Sequence, residues 1–382
     1  MTRFDFPKDF LWGSAVASFQ VEGGIDNCDW AVAAKHGKVP LAGKACDFKT
    51  TYESDLDRAK EMGQNAFRFS IEWARIEPEE GKWDNDAIHY YLDLIEAIKK
   101  RGMVPFVTLW HFTLPTWFAE KGAFEKKDNI FYFVRYSLHV LSLIHEQVTF
   151  VASMNEPMVY TSNSYIRGNW PPFQKTIFKH WKVLKNLATA HNLLYLRAKE
   201  KYPDLSIGFA KDNIWFHATN IFGVIPANLF RWFWNERFIN WTMGKVDHIG
   251  LNYYFHKAFG SYDKLPKNDF GWDICPQGLY ETIMELVNLN VPIYITENGT
   301  ADAKDEHRPA FIEHHVREVG RAIVSGAPVK GYFFWSLLDN YEWAAGYTKR
   351  FGLIEVNFET GERKPRGSVE TYARIIKSGF VE

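Results

Sequence analysis

Cysteine is almost missing from this chain. Its 382 residues hold three, Cys28, Cys46 and Cys275, an odd number without Cys-x-x-Cys spacing. That excludes a disulfide frame and a cysteine zinc site and points to reduced thiols. An excess of either charge is also missing. Forty-five Lys and Arg against 46 Asp and Glu leave a net charge of −1, with no electrostatic footprint for nucleic acid or an anionic membrane. No apolar run approaches the length of a membrane span. The first residues, Met1 to Pro7, lack the apolar stretch of a signal peptide, so a cytoplasmic protein is expected. The glycosylation sequons at Asn240 and Asn298 then read as chance matches. Low-complexity tracts, charge blocks and Pro/Gly/Ser linkers are absent, and one domain over 1–382 is expected. With no His-x-His or His-Glu-x-x-His cluster, neither a metal centre nor a cofactor is expected. The sequence sets no oligomeric state.

Apolar and aromatic residues are plentiful. Hydrophobic residues make up 46% of the chain and aromatic residues 17%, with 15 Trp. This is ample for a large core, with rings to spare for a cleft that holds flat apolar faces.

Short apolar runs alternate with amphipathic stretches from end to end. Runs that read as strands are 10–14, 65–70, 104–109, 150–155, 206–210, 247–252, 292–297 and 331–335. Between them the spacing predicts helices. Ile88, Tyr91, Leu92, Ile95 and Ile98 recur at helical period before Gly102, and 128–147, 177–202, 312–323 and 368–377 follow the same rule. Eight strands alternating with helices imply a parallel sheet covered on both faces. No Gly-x-Gly-x-x-Gly follows the first strand, which removes the main support for an open dinucleotide-binding sheet. The expected fold is α/β, a single (β/α)8 barrel.

Active residues of such barrels lie at the C-terminal ends of the strands. Polar groups gather at those ends here: Trp110-His111, Asn155-Glu156, Asn252-Tyr253-Tyr254, Glu297-Asn298 and Trp335, while the second strand carries Arg68. A carboxylate at the end of a buried strand is unfavourable unless paired or functional. Buried ion pairs with Arg68 or a lysine would account for either glutamate alone. Two glutamates at one end suit glycoside hydrolysis, in which one carboxyl protonates the leaving oxygen and the other attacks or activates water.

Six segments carry a resemblance: 10–23 (FLWGSAVASFQVEG), 68–76 (RFSIEWARI), 108–112 (TLWHF), 154–157 (MNEP), 295–299 (ITENG) and 335–343 (WSLLDNYEW). The chain resembles family 1 of the glycoside hydrolases, the β-glucosidase and β-galactosidase family, from Phe6 to about Tyr372. The resemblance implies a retaining β-glycosidase, with Glu156 as acid/base and Glu297 as nucleophile. It implies support for the nucleophile from Arg68, Asn252 and Tyr254. Substrate contacts would come from Gln20, His111, Asn155, Trp335, Glu342, Trp343 and Phe351, with Asn155 at the 2-hydroxyl and Trp335 as the floor under the sugar. Glu342 stands where relatives that cleave 6-phosphorylated sugars carry phosphate-binding groups, so a neutral glycone is expected.

Two departures bear on the leaving-group side. Met158 replaces the Trp that many members place after Asn-Glu-Pro, which suggests a reshaped leaving-group subsite. Segments 215–247 and 259–279 are short for the family, which suggests an open cleft mouth. The expected partner is a small β-glycoside or oligosaccharide, with neither nucleic acid nor membrane. The alternatives are a transglycosidase using the same two glutamates and a non-catalytic sugar-binding relative.

Overall fold

The computed structural model describes residues 3–261 and 264–382. Eight parallel strands close a barrel in chain order: β1 (Leu11–Ala15), β2 (Ala66–Ser70), β3 (Val104–Thr108), β4 (Phe150–Asn155), β5 (Ser206–Asp212), β6 (Ile249–Tyr253), β7 (Ile293–Asn298) and β8 (Val329–Trp335). The ring closes where β8 pairs with β1, from Gly331 opposite Leu11 to Trp335 opposite Ala15. The strands read as apolar runs because neighbours cover both their faces. Their ends differ from the sequence expectation by one or two residues, and β5 runs on to Asp212.

The surrounding helices are α1 (Phe48–Glu61), α2 (Asn85–Lys100), α3 (Ile130–Ile144), α4 (Ile177–Lys201), α5 (Val224–Arg231), α6 (Arg237–Thr242), α7 (Pro276–Leu286), α8 (Arg308–Val324) and α9 (Ser368–Ser378). Helix α2 shows why they form. Asp84 caps it by accepting from the Ala87 amide at 3.0 Å, an interaction whose loss costs about 1 kcal/mol. Ile88, Tyr91, Ile95 and Ile98 bury one face against the barrel. Gly102, at φ 65°, turns the chain into β3. Ile95 is fully buried, and its truncation to alanine would cost ~2–5 kcal/mol.

An aromatic plug fills the inside of the barrel. Phe106 meets Phe150, Tyr294 and Phe333 at centroid distances of 5.6, 5.6 and 5.4 Å. Small residues make room for it. A Cβ on Gly13 would lie 2.6 Å from the Phe333 ring, and one on Gly208 would lie 2.2 Å from the His248 carbonyl oxygen. The plug gives the polar groups above it a dry, rigid base.

Some elements were not foreseen. Trp215–Ala218 and His256–Phe259 pair in parallel outside the barrel and carry the segment that contains α5. Phe4–Asp5 pairs antiparallel with Phe380–Val381, and the Tyr372 hydroxyl of α9 donates to the Gly13 carbonyl at 2.6 Å. Cys28, Cys46 and Cys275 are all buried. Asn298 is also buried and donates to the Tyr253 carbonyl, so its sequon is out of reach in the folded chain.

Candidate active site

Glu156 and Glu297 enter one cavity of about 430 Å³ at the C-terminal end of the barrel. Both carboxyls are buried, and their surroundings differ. Arg68 Nη1 donates to Glu297 Oε1 at 2.5 Å, and the Tyr254 hydroxyl donates to Oε2 at 2.6 Å. Each oxygen of Glu297 therefore has its own donor, one of them a buried cation. Burial and the Glu297 charge push the Tyr254 phenol well above its usual range, keeping it a donor.

Glu156 has a weaker hold. Asn252 Nδ2 donates to its Oε1 at 2.8 Å. Burial is the largest influence on its carboxyl, followed by the charges of Glu297 and Asp212, and together they raise its pKa well above the ordinary value. The backbone of Glu156 lies at φ 43°, ψ 61°. The next residue is Pro157, which disfavours the right-handed helical region for the residue before it, and the Glu156 amide is held by the Ala210 carbonyl at 2.8 Å. A left-handed conformation at a non-glycine residue costs on the order of 1 kcal/mol, and it turns this side chain into the cavity.

A network under the glutamates fixes both. Besides Glu297, Arg68 donates to Thr108 Oγ1, to the Thr296 carbonyl and to Asn155 Oδ1, at 3.2, 3.0 and 2.7 Å. Asn252 takes a bond from the Thr296 hydroxyl at 2.6 Å and gives one to Asn155 Oδ1 at 3.2 Å. With its oxygen so engaged, Asn155 presents Nδ2 to His111 Nε2 at 3.2 Å. His111 Nε2 is then an acceptor and Nδ1 carries the proton. Burial, then the charge of Arg68, depresses the His111 pKa well below normal, so the ring is neutral.

Two buried polar atoms at this site, His111 Nδ1 and Gln20 Oε1, have no hydrogen-bond partner among the described residues. Gln20 is oriented by bonds from its Nε2 to Asn340 Oδ1 and the Tyr341 carbonyl. Buried polar groups are normally satisfied. An unmatched donor and an unmatched acceptor in one cavity are suited to adjacent hydroxyl groups. Trp335 and Trp343 form aromatic walls nearly parallel to the His111 ring, at interplanar angles of 14° and 11°. Trp335 Nε1 donates to Glu342 Oε1 at 3.3 Å, and burial raises the Glu342 pKa to about 8. Phe351 adds an apolar edge beside Tyr254, Phe270 and Trp272.

Of the residues singled out in the sequence, ten line the cavity, and Arg68 and Asn252 lie in the network beneath it. Two expectations change. Asn252 bonds to the Glu156 carboxyl and not to that of Glu297, because β6 brings its amide between Asn155 and Glu156. Met158 is fully buried in the core and does not line the cavity, so it does not shape the leaving-group side directly.

The sequence reading missed the outer wall. Asp212, Trp234, Phe255, Phe270, Trp272 and Arg167 line it. Trp234 Nε1 donates to Asp212 Oδ2 at 3.1 Å. Burial, opposed by Lys211, raises the Asp212 pKa to about 6. A strand-end carboxylate is the signal that identified Glu156 and Glu297, and Asp212 carries the same signal at the end of β5.

The arrangement supplies one carboxylate fixed by a cation and one carboxyl that retains its proton, above hydrogen-bonding groups for a polyhydroxylated ligand. Among the described residues, no cluster of three or more His, Cys, Asp or Glu is placed to hold a metal ion, and no helix is long and apolar enough to cross a membrane.

Known proteins agree with this chemistry. The family model for glycosyl hydrolase family 1 matches residues 2–220 and 250–380. β-Glucosidase A of Acetivibrio thermocellus is 31% identical, with 100% of each chain covered. A β-galactosidase of Pyrococcus woesei is 30% identical, with 98% of each covered. The structure of a β-glycosidase from Pyrococcus horikoshii superposes with a TM-score of 0.94 at 35% identity, covering 100% of this chain and 97% of that one. A barrel with this pair of carboxyls, matched over nearly its whole length, is an O-glycosyl hydrolase, and the chain belongs to glycosyl hydrolase family 1.

Proposed function

We propose that the chain, acting as one catalytic domain in the cytoplasm, removes terminal β-glucosyl or β-galactosyl residues with retention, in two displacements. The difference between the two carboxyls carries this reading. Glu297, bonded to Arg68 and Tyr254, attacks the anomeric carbon. Glu156, with its raised pKa, gives its proton to the leaving oxygen. The bond to that oxygen breaks as the ester to Glu297 forms. Esterification removes the Glu297 charge, so the Glu156 pKa falls and its carboxylate accepts a proton from water. That water attacks the anomeric carbon and releases Glu297.

The glycone end supports a neutral sugar. Glu156, Glu297, Asp212 and Glu342 line the cavity, and Arg167 is the one Lys or Arg among its lining residues. Asn155 and the unpaired atoms of His111 and Gln20 would take sugar hydroxyls, with Trp335 beneath the ring. The relatives named as β-glucosidase and β-galactosidase support either glycone, and the low cysteine content supports a reducing compartment.

The test is Glu297→Ala with an activated aryl β-glucoside. Turnover is expected to fall on the order of 10⁴-fold or more. Azide should restore part of it and yield the α-glycosyl azide, because azide enters from the face that Glu297 occupied. A β-azide from this variant would reverse the roles of the two glutamates, and undiminished hydrolysis would remove Glu297 from the chemistry.

A further inference from the structure

Segment 68–76, which supplies Arg68 to the active site, also carries a buried carboxyl that the two displacements do not use. Glu72 follows β2 and is buried. Its carboxyl gathers bonds from three segments. The Thr113 hydroxyl lies 3.0 and 2.9 Å from Oε1 and Oε2 and donates to them. The Ser18 hydroxyl donates to Oε2 at 3.1 Å, and the Ala74 amide to Oε1 at 3.3 Å. None of these donors is charged. Burial is the largest influence on the group and raises its pKa to about 7. A buried carboxyl without a cation is unfavourable, so what it holds together matters. Capping the helical turn Trp73–Ile76 uses only the longest of these bonds, and serine or asparagine fills that role as well. The other bonds reach segments that lie 41 and 54 residues away in sequence.

Both distant partners stand two residues from a cavity group with an open hydrogen-bonding atom. Ser18 precedes Gln20 in one helical turn, Ser18–Val21, closed by the Glu22 amide on the Ser18 carbonyl at 2.9 Å. Thr113 follows His111. Its amide donates to the His111 carbonyl at 3.0 Å across Phe112, which lies at φ 76°. That bond closes a three-residue turn, so a displacement of Thr113 carries His111 with it. Gln20 Oε1 and His111 Nδ1 are the two atoms of the cavity without a hydrogen-bond partner among the described residues. Bonds of its own orient each side chain, whereas Glu72 joins the two segments that carry them. A second tie links the same segments, from the Asp29 amide to the Leu114 carbonyl and from the Leu114 amide to Asp29 Oδ1, both at 2.9 Å. The loops therefore stay together when one arm of the first tie is cut.

We propose that Glu72 is a positioning residue for glycone recognition: through Ser18 and Thr113 its carboxyl sets the separation of Gln20 Oε1 from His111 Nδ1. Adjacent hydroxyls on a sugar ring stand a fixed distance apart. A site that grips them from two different loops needs those loops held to about 0.5 Å, and a buried carboxyl bonded to both does this from behind the cavity. The role rests on the proposed function for the nature of the ligand, a sugar.

The experiment compares wild type with Thr113→Val, which keeps the side-chain shape and removes one arm of the tie, and with Thr113→Ser, which keeps the hydroxyl. It measures kcat/KM for nitrophenyl β-glucoside and its 2-, 3- and 4-deoxy analogues. Kd values for glucose and the same deoxyglucoses are measured in parallel by tryptophan fluorescence. Thr113→Val is expected to lose about tenfold or more on both measures with the parent sugar. The loss should disappear with the 3-deoxy or the 4-deoxy sugar, whichever lacks the hydroxyl that Gln20 and His111 hold. It should persist with the 2-deoxy sugar, whose missing group falls to Asn155. Thr113→Ser should behave as wild type does. Glu72→Met, which cuts both arms, should lose more in the same pattern; if it does not fold, Thr113→Val decides alone. An equal loss on every sugar would make Glu72 a support of the fold only and overturn the proposal, as would wild-type values in Thr113→Val. A wild type that shows the expected pattern in Kd but hydrolyses no glycoside would keep the positioning role and remove the proposed function. One that neither binds nor hydrolyses these sugars would overturn both.

Discussion

On the floor of the cleft, Arg68, Asn155, Asn252 and the two glutamates belong to one network drawn from β2, β3, β4, β6 and β7. On the outer wall, Asp212 takes a side-chain bond from Trp234, and Arg167 and aromatic edges supply the rest. The floor matches the family model throughout; the wall draws Trp234 from the segment the model leaves unmatched. A reacting centre must be held to a fraction of an ångström, and a network of charged and amide groups over a close-packed plug does this. A subsite for varied leaving groups needs contact area more than fixed geometry. On the proposed function the two halves divide chemistry from selectivity, and substitutions in each should fail in different ways.

The largest effect is expected on the floor. Arg68→Met removes the cation from Glu297 and a donor from Asn155, and kcat should fall about 10²–10³-fold with KM for an aryl glucoside little changed. The buried Glu297 carboxylate also loses its ion pair, at a cost of ~3–5 kcal/mol in stability. Thermal unfolding of the same preparation should show a lower midpoint. A large rise in KM with kcat unaltered would place Arg68 in substrate binding instead. Next comes Tyr254→Phe. A hydrogen bond to a charged group is worth about 1.5–3 kcal/mol, so kcat should drop roughly 10- to 150-fold.

On the wall, Trp234→Ala is expected to raise KM several-fold for substrates with an aromatic leaving group and to spare methyl glycosides. Equal loss for both would break the division between floor and wall. The smallest effect belongs to Asp212→Asn. The Asp212 charge helps keep the Glu156 proton on. A general acid is active below its pKa, so activity declines as pH rises through it. Removing the charge lowers the Glu156 pKa, and the alkaline limb of kcat/KM should move to lower pH while the acidic limb stays. Glu297 and Arg68 also face Glu156 and remain in place in this variant. An unmoved alkaline limb would separate Asp212 from the acid/base.

The sequence showed the floor and not the wall, for a physical reason. Floor residues sit at strand ends, where an apolar run gives the position and a polar residue breaks the pattern. Asn155, Asn252 and Glu297 satisfy that rule, and Arg68 breaks the apolar run within β2. The wall comes from segments without periodicity, such as 232–236 and 270–272, whose approach to the cavity depends on tertiary packing. Asp212 lies between the two cases. It follows the strand-end rule, but the strand was read as ending at Ala210, two residues early. Asn252 was placed correctly and given the wrong partner, because a strand position fixes the end of the barrel on which a side chain lies and not which of two neighbouring carboxyls it reaches.

The bond from Arg68 to Glu297 spans 229 residues of sequence. A nascent chain that has emerged through Glu156 still lacks β5 to β8, and with them Glu297 and the strand that closes the ring against β1. Contacts of such long range form late and slowly. Recovery of hydrolysis during refolding should therefore follow the slowest observable phase and lag behind the return of helical signal, so that catalysis itself serves as a clock for closure of the ring.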